Sequence, residues 1–214
     1  MAEVQTFFSQ YGTEFLFKIW EHFYISMIAL GIGIIIAVPI GMLLARTEKV
    51  GDWILTIAGV LQTIPTLAVL ALMIPLFGIG KVPAIIALSI YILLPILNNT
   101  IVGVRGVSKD AKEAAVAMGM TKRQLLWQVD LPLASPLILS GIRLASVYVI
   151  SWATIASYIG AGGLGDFIFN GLNLYDPVMI VIATIGVTLL ALVTDFILGI
   201  IESKAVPRGL NISR

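Results

Sequence analysis

Few side chains in this sequence can do chemistry, and most of those stand in apolar surroundings. There is one histidine, His22, and no cysteine. That excludes a disulfide frame, a thiolate nucleophile and a His/Cys zinc site. Gln62 and Asn98 sit inside long apolar runs, each near a proline, Pro65 and Pro95. Tyr91, Tyr148 and Trp152 place aromatic faces in similar runs, and Arg143 and Asp195 place charges there. No pair among them has the make-up of a nucleophile with its base, or of two carboxylates in one cleft. Amides and aromatic faces beside proline breaks suit the lining of a pathway rather than bond making, as in the broken helices of transporters. The other reading of the hydroxyls Thr56, Thr63, Thr66 and Ser151 is helix packing, where small and hydroxyl residues are enriched.

The elements that carry these residues are read from composition. Of 214 residues, 59% are hydrophobic and 12% charged. That is roughly half the charge fraction of a soluble domain. Five runs are long and apolar enough to cross about 30 Å of hydrocarbon. They lie near 23–45, 53–77, 82–104, 136–158 and 177–201, and predict an all-α integral membrane protein. Residues 1–22 alternate in a helical way, with Phe8, Tyr11, Phe15 and Ile19 on one side, and fit an interfacial segment; an extension of the first span fits equally well. The first twenty residues carry Glu3 and Glu14 and no basic start, so a cleavable signal peptide is not expected. With five spans, ten of the 13 Lys and Arg residues fall on one side: Arg46, Lys49, Arg105, Lys109, Lys112, Lys122, Arg123, Lys204, Arg208 and Arg214. Lys18 and Lys81 fall on the other, and Arg143 stays within a span. The positive-inside rule then places the N-terminus outside and the C-terminus in the cytoplasm. The transmembrane part is read as 23–202 and a cytoplasmic tail as 203–214. A net charge of +1 argues against a nucleic-acid surface.

The longest polar interlude, 113–132, falls in the cytoplasmic loop at 105–132. Ser108 caps a first helical piece, and Ala-rich sequence favours it. Gly119 supplies a left-handed stop. Thr121 opens a second piece with Gln124 at capping-box spacing, and Leu131-Pro132 is expected to end it.

Its spacing is Glu113-Ala114-Ala115, three residues, Gly119, nine residues, Val129, one residue, Leu131-Pro132. This resembles the EAA loop of bacterial ABC importer permeases, with Val129 where that family has Ile. Stretches 62–88, 93–107 and 160–175 resemble the permease subunits of osmoprotectant importers, which take up glycine betaine, carnitine or choline. The resemblance covers most of residues 20–210 and implies a type I importer-like permease in the bacterial cytoplasmic membrane. It implies a second permease subunit, identical or similar, two cytoplasmic ATPases and an extracytoplasmic solute-binding protein. ATP and Mg would sit on the ATPases, with no cofactor on this chain. Glu113, Ala114, Ala115, Gly119, Leu131 and Pro132 would couple to the ATPase. Gln62, Pro65, Tyr91, Asn98, Tyr148 and Trp152 are the candidates for the pathway. In such importers the tight aromatic cage belongs to the binding protein.

Gly160, Gly162 and Gly165 have the G-x-G-x-x-G spacing, but follow a membrane span rather than a strand, so nucleotide binding is rejected. A tight outer loop with a short helix at 166–170 is expected instead. Arg143 and Asp195 lie at similar depths and form a candidate structural ion pair, with snorkelling of Arg143 as the alternative. Three other readings remain open: an importer of the same architecture for another solute such as methionine, an ion-coupled secondary transporter, and a membrane scaffold.

Overall fold

A computed structural model describes residues 2–205. Arg208, Arg214 and residues 206–214 of the tail lie outside the described residues. Every regular element described is helical. In chain order they are α1 (Ala2–Leu44), α2 (Glu48–Gln62), α3 (Thr66–Phe77), α4 (Lys81–Arg105), α5 (Lys109–Ala117) and α6 (Lys122–Gln124). A π-helical turn (Leu125–Asp130), α7 (Leu131–Ala156), a 3₁₀ turn (Ser157–Ile159), α8 (Gly165–Leu174) and α9 (Pro177–Ala205) follow.

Four helical stretches are long and apolar enough to cross a membrane: Glu3–Leu44, Lys81–Arg105, Lys122–Ile159 and Pro177–Ala205. The second expected span is not one straight helix. α2 and α3 meet at a break, and the count reaches five when they are taken as one broken span. Pro65, the residue that caps α3, has no N–H with which to continue α2. Of the segment 1–22, the described residues 2–22 are continuous with the first span, since α1 runs unbroken from Ala2 to Leu44.

Leu131-Pro132 does not end the second connector piece. α6 passes through the π-helical turn directly into α7, with Pro132 in its first turn. Leu131 N–H reaches back to the carbonyl of Leu126, five residues earlier. That wide turn gives the proline ring room from the carbonyl it would strike in an α-helix.

Two compact units emerge. The first comprises 1–32, 64–92 and 146–195. Its aromatic centre holds Phe7, Phe15 and Phe167, with ring centroids 5.6–5.7 Å apart. Leu164, Met179 and Ala183 complete it. The buried face of α1 uses Phe7 and Phe15, while Phe8, expected on that side, is exposed. The glycine-rich loop wraps Glu21. That carboxylate accepts from Gly163 N–H at 2.8 Å and pairs with Lys18 at 3.0 Å and Lys81 at 2.6 Å. Lys18 also reaches Asp166 on α8. The neighbouring His22 is fully buried. Its Nε2–H donates to the Ile150 carbonyl, and its Nδ1 accepts from Leu164 N–H. Those two partners select one neutral tautomer. Gly162 has φ +84, and a Cβ there would overlap the Glu21 carboxylate. The short helix expected at 166–170 is α8.

The second unit comprises 33–63, 93–145 and, among the described residues, 196–205. Met42, Ala45, Ile101, Val104, Val107, Ala134 and Ile138 form its core. Arg105 pairs with Asp52 at 2.7 Å. Arg143 donates to Glu202 at 2.8 Å.

Gly162→Ala, which strains a positive-φ site and strikes a buried carboxylate, should cost about 2 kcal/mol. Gly12→Ala, in a helix with open space around it, should be neutral or stabilise by up to about 1 kcal/mol. Thermal denaturation of the detergent-purified chain distinguishes them; equal midpoints would remove the account of the loop. Arg143→Glu should lower folded yield at a cost of about 2 kcal/mol, and adding Glu202→Arg should restore it. Failure of the double variant to recover would show that Glu202 is not a required partner.

Candidate coupling site and pathway residues

The connector lies wholly in the second unit. Its first piece forms because Ser108 accepts from Ala111 N–H at 3.3 Å. Lys112 Nζ donates to the Val104 carbonyl at 2.9 Å, satisfying one orphan acceptor at the end of α4. Gly119 then turns the chain with φ +81, a conformation that carries a penalty for any residue with a Cβ. Thr121 and Gln124 complete a full capping box, with Thr121 N–H on Gln124 Oε1 at 2.8 Å. Arg46, just past the end of α1, donates to the Lys122 carbonyl at 2.9 Å.

α5 shows one face outward. Glu113 and Ala114 are exposed, as is Gly119. Ala115 is only 2% exposed, so its small side chain serves packing inside this chain. Val116, Met118 and Trp127 are 59%, 72% and 56% exposed. Apolar groups grouped on one connector are a mark of a partner surface. Leu131 and Pro132 are half-buried in the first turn of α7.

The pathway candidates divide between the units. Pro65, Tyr91, Tyr148 and Trp152 belong to the first, Gln62 and Asn98 to the second. In the first unit Trp152 stacks against Tyr91 and Tyr148, with centroids 5.2 and 5.3 Å away. Tyr91 is buried and its hydroxyl donates to the Ile64 carbonyl at 2.5 Å, at the α2–α3 break. Tyr148 is exposed. Asn98 is exposed on α4. The hydroxyls of Thr56, Thr63 and Ser151 donate to carbonyls of their own helices, which fits packing. Glu202 is a partner of Arg143 that periodicity did not suggest.

Asp130 was also missed. Its side chain is 4% exposed and lies 3.7 Å from both Arg46 and Lys112. The signal available was a lone carboxylate directly before Leu131-Pro132. Among the described residues no group of three or more His, Cys, Asp or Glu is arranged to hold a metal ion.

Residues 30–206 match the family described as binding-protein-dependent transport system inner membrane component. The chain is 52% identical over 214 residues to the carnitine transport permease protein OpuCB of Listeria monocytogenes, covering 100% of this chain and 98% of that one. It is 48% identical over 211 residues to the glycine betaine/carnitine/choline transport system permease protein OpuCB of Bacillus subtilis (strain 168), covering 99% and 97%. In fold it is similar to a solved chain of the MetNI methionine ABC transporter in an inward-facing conformation. The TM-score is 0.83 at 21% identity, over 90% of this chain and 96% of that one. The match across 30–206 and the full-length identity together place this chain in the family of binding-protein-dependent transport system inner membrane components.

Proposed function

We propose that this chain is the membrane-spanning permease of an ATP-driven importer for quaternary ammonium solutes such as glycine betaine, carnitine and choline. It works in a bacterial cytoplasmic membrane with five spans, α2 and α3 forming the second, its N-terminus outside and its C-terminus in the cytoplasm. The partners are a second permease, identical or similar, two cytoplasmic ATPases that hold ATP and Mg, and an extracytoplasmic solute-binding protein. This chain performs no catalysis and holds no cofactor. The solute class comes from relatives 48% and 52% identical over nearly the whole chain, whose names carry those solutes.

The observation that carries the mechanism is the capped, two-piece connector with its outward face. Glu113 and Ala114 present a polar and a small surface to the ATPase, bordered by Val116, Met118 and Trp127. The turn at Gly119 lets the two pieces make an angle with each other. The second piece is helically continuous with α7, so a push on it is delivered to a span without an intervening loop. Rigid-body rocking then alternates access, the usual transporter device. The solute passes Gln62, Asn98 and the aromatic trio. The positive-inside charge bias supports a connector on the cytoplasmic face, where an ATPase works.

Reconstituted with ATPase and binding protein in liposomes, the complex should accumulate radiolabelled glycine betaine, carnitine or choline only when all components and ATP are present. Uptake at full rate without the ATPase would reject the reading. Gly119→Val should leave the complex assembled and hydrolysing ATP while uptake falls about tenfold, since a misplaced coupling element costs on the order of 1–2 kcal/mol. Trp152→Ala should lower glycine betaine uptake about threefold, the size of one exposed cation–π contact. Unchanged uptake in that variant would remove Trp152 from the pathway.

A further inference from the structure

Asp130 is a buried carboxylate with an unusual pair of neighbours. Buried carboxylates are rare unless paired. Here the partners come from two separate elements, Arg46 past the end of α1 and Lys112 on the coupling helix α5. Each cation has its own anchor: Arg46 on the Lys122 carbonyl and Lys112 on the Val104 carbonyl, both at 2.9 Å. The carboxylate lies 3.7 Å from each, beyond the reach of a direct hydrogen bond. Its Oδ1 accepts no hydrogen bond from the described groups. A buried carboxylate oxygen left in this way favours any shift that brings a donor closer.

The position of Asp130 in the chain gives this arrangement its use. It is the last residue of the π-helical turn, at the seam where the connector becomes α7. A small advance of α5 closes the gap to Lys112 and a small retreat opens it, while Arg46 holds the other side. The carboxylate is buried while the Arg46 and Lys112 side chains are 34% and 30% exposed, so the attraction is screened only in part across these distances.

We propose that Asp130 is a positioning residue that keeps the coupling helix in register with α1 and α7 through Arg46 and Lys112, and that without its charge ATP hydrolysis runs without moving solute. The proposal rests on the coupling role assigned above to the connector. Asp130 touches neither ATP nor solute; it acts through the two cations.

The test uses the complete reconstituted complex with radiolabelled glycine betaine, and reads solute imported per ATP hydrolysed. A purely structural defect lowers both quantities together and leaves that ratio unchanged. Asp130→Asn, which keeps the size and removes the charge, should lower the ratio about fivefold, within the range one residue contributes to coupling. Asp130→Glu should restore it to within about twofold, by the same measure. A wild-type ratio in Asp130→Asn overturns the proposal, and Gly119→Val in parallel shows how far the failure extends. If Gly119→Val uncouples and Asp130→Asn does not, the clasp is wrong and the coupling role of the connector stands. If both keep the wild-type ratio, the coupling role falls and takes the clasp with it. If Asp130→Asn does not assemble, Lys112→Met decides: a lowered ratio supports the clasp and an unchanged one overturns it.

Discussion

A backbone amide in hydrocarbon has no water to turn to, and this chain is built around that fact. Helices satisfy their own amides, so every break in one has to find partners locally. At 63–65 the hydroxyl of Tyr91 donates to the Ile64 carbonyl. At the end of α4 the ammonium of Lys112 takes the Val104 carbonyl. At the seam before α7 the hydrogen bonds widen to a π-helical turn around Pro132. The side chains that serve the first two come from other elements, Tyr91 of α4 and Lys112 of α5. Each break is therefore also a joint between elements, and the joints are where a transporter has to move.

Two buried carboxylates show how differently such joints can be set. Glu21 has an amide and two ammonium groups as close donors, with a glycine loop moulded against it. Every oxygen is served at hydrogen-bond distance, which makes the site stiff. Asp130 is equally hidden from solvent, yet its two cations stand off at 3.7 Å. The first arrangement holds α1, α4 and α8 in one place. The second tolerates a change in spacing, because neither cation is locked to the carboxylate. Stiffness and tolerance here follow from distance and donor count, with the same kinds of group in both.

What could be read from the sequence follows the same division. The caps were legible because they depend on neighbours three residues apart: Ser108 on Ala111, Thr121 with Gln124. The left-handed turn at Gly119 was legible because glycine alone takes it without strain. The long apolar runs gave the spans, although not the break at 63–65 as two helices. Glu202 beside Arg143 and Asp130 between its cations were hidden because they join positions 59, 84 and 18 residues apart, and no periodicity reaches across a chain reversal. Pro132 was misjudged for a local reason. A proline stops an α-helix by its missing N–H and its ring, but a π-helical turn just before it removes the second objection, and the helix goes on. Ala115 is expected at the ATPase face from the EAA resemblance, whereas its side chain is buried within this chain; a small residue can admit a partner or a neighbour in its own chain, and spacing does not separate the two.

The aromatic trio bears on how selective such a permease needs to be. A quaternary ammonium group has no N–H to donate, so a site for it gains little from acceptors and much from π faces. Tyr91 is buried with its hydroxyl on Ile64, so it backs the Trp152 ring rather than offering a face of its own. Tyr148 also packs against Trp152, and it is itself exposed. Such a surface attracts a passing cation without holding it, since an exposed cation–π contact is worth about 0.5–1 kcal/mol. A tighter site would slow release on the far side, because binding that is equally strong at each stage gives no forward drive. In the pathway proposed above, weak faces of this kind leave selection to a step before the solute reaches this chain.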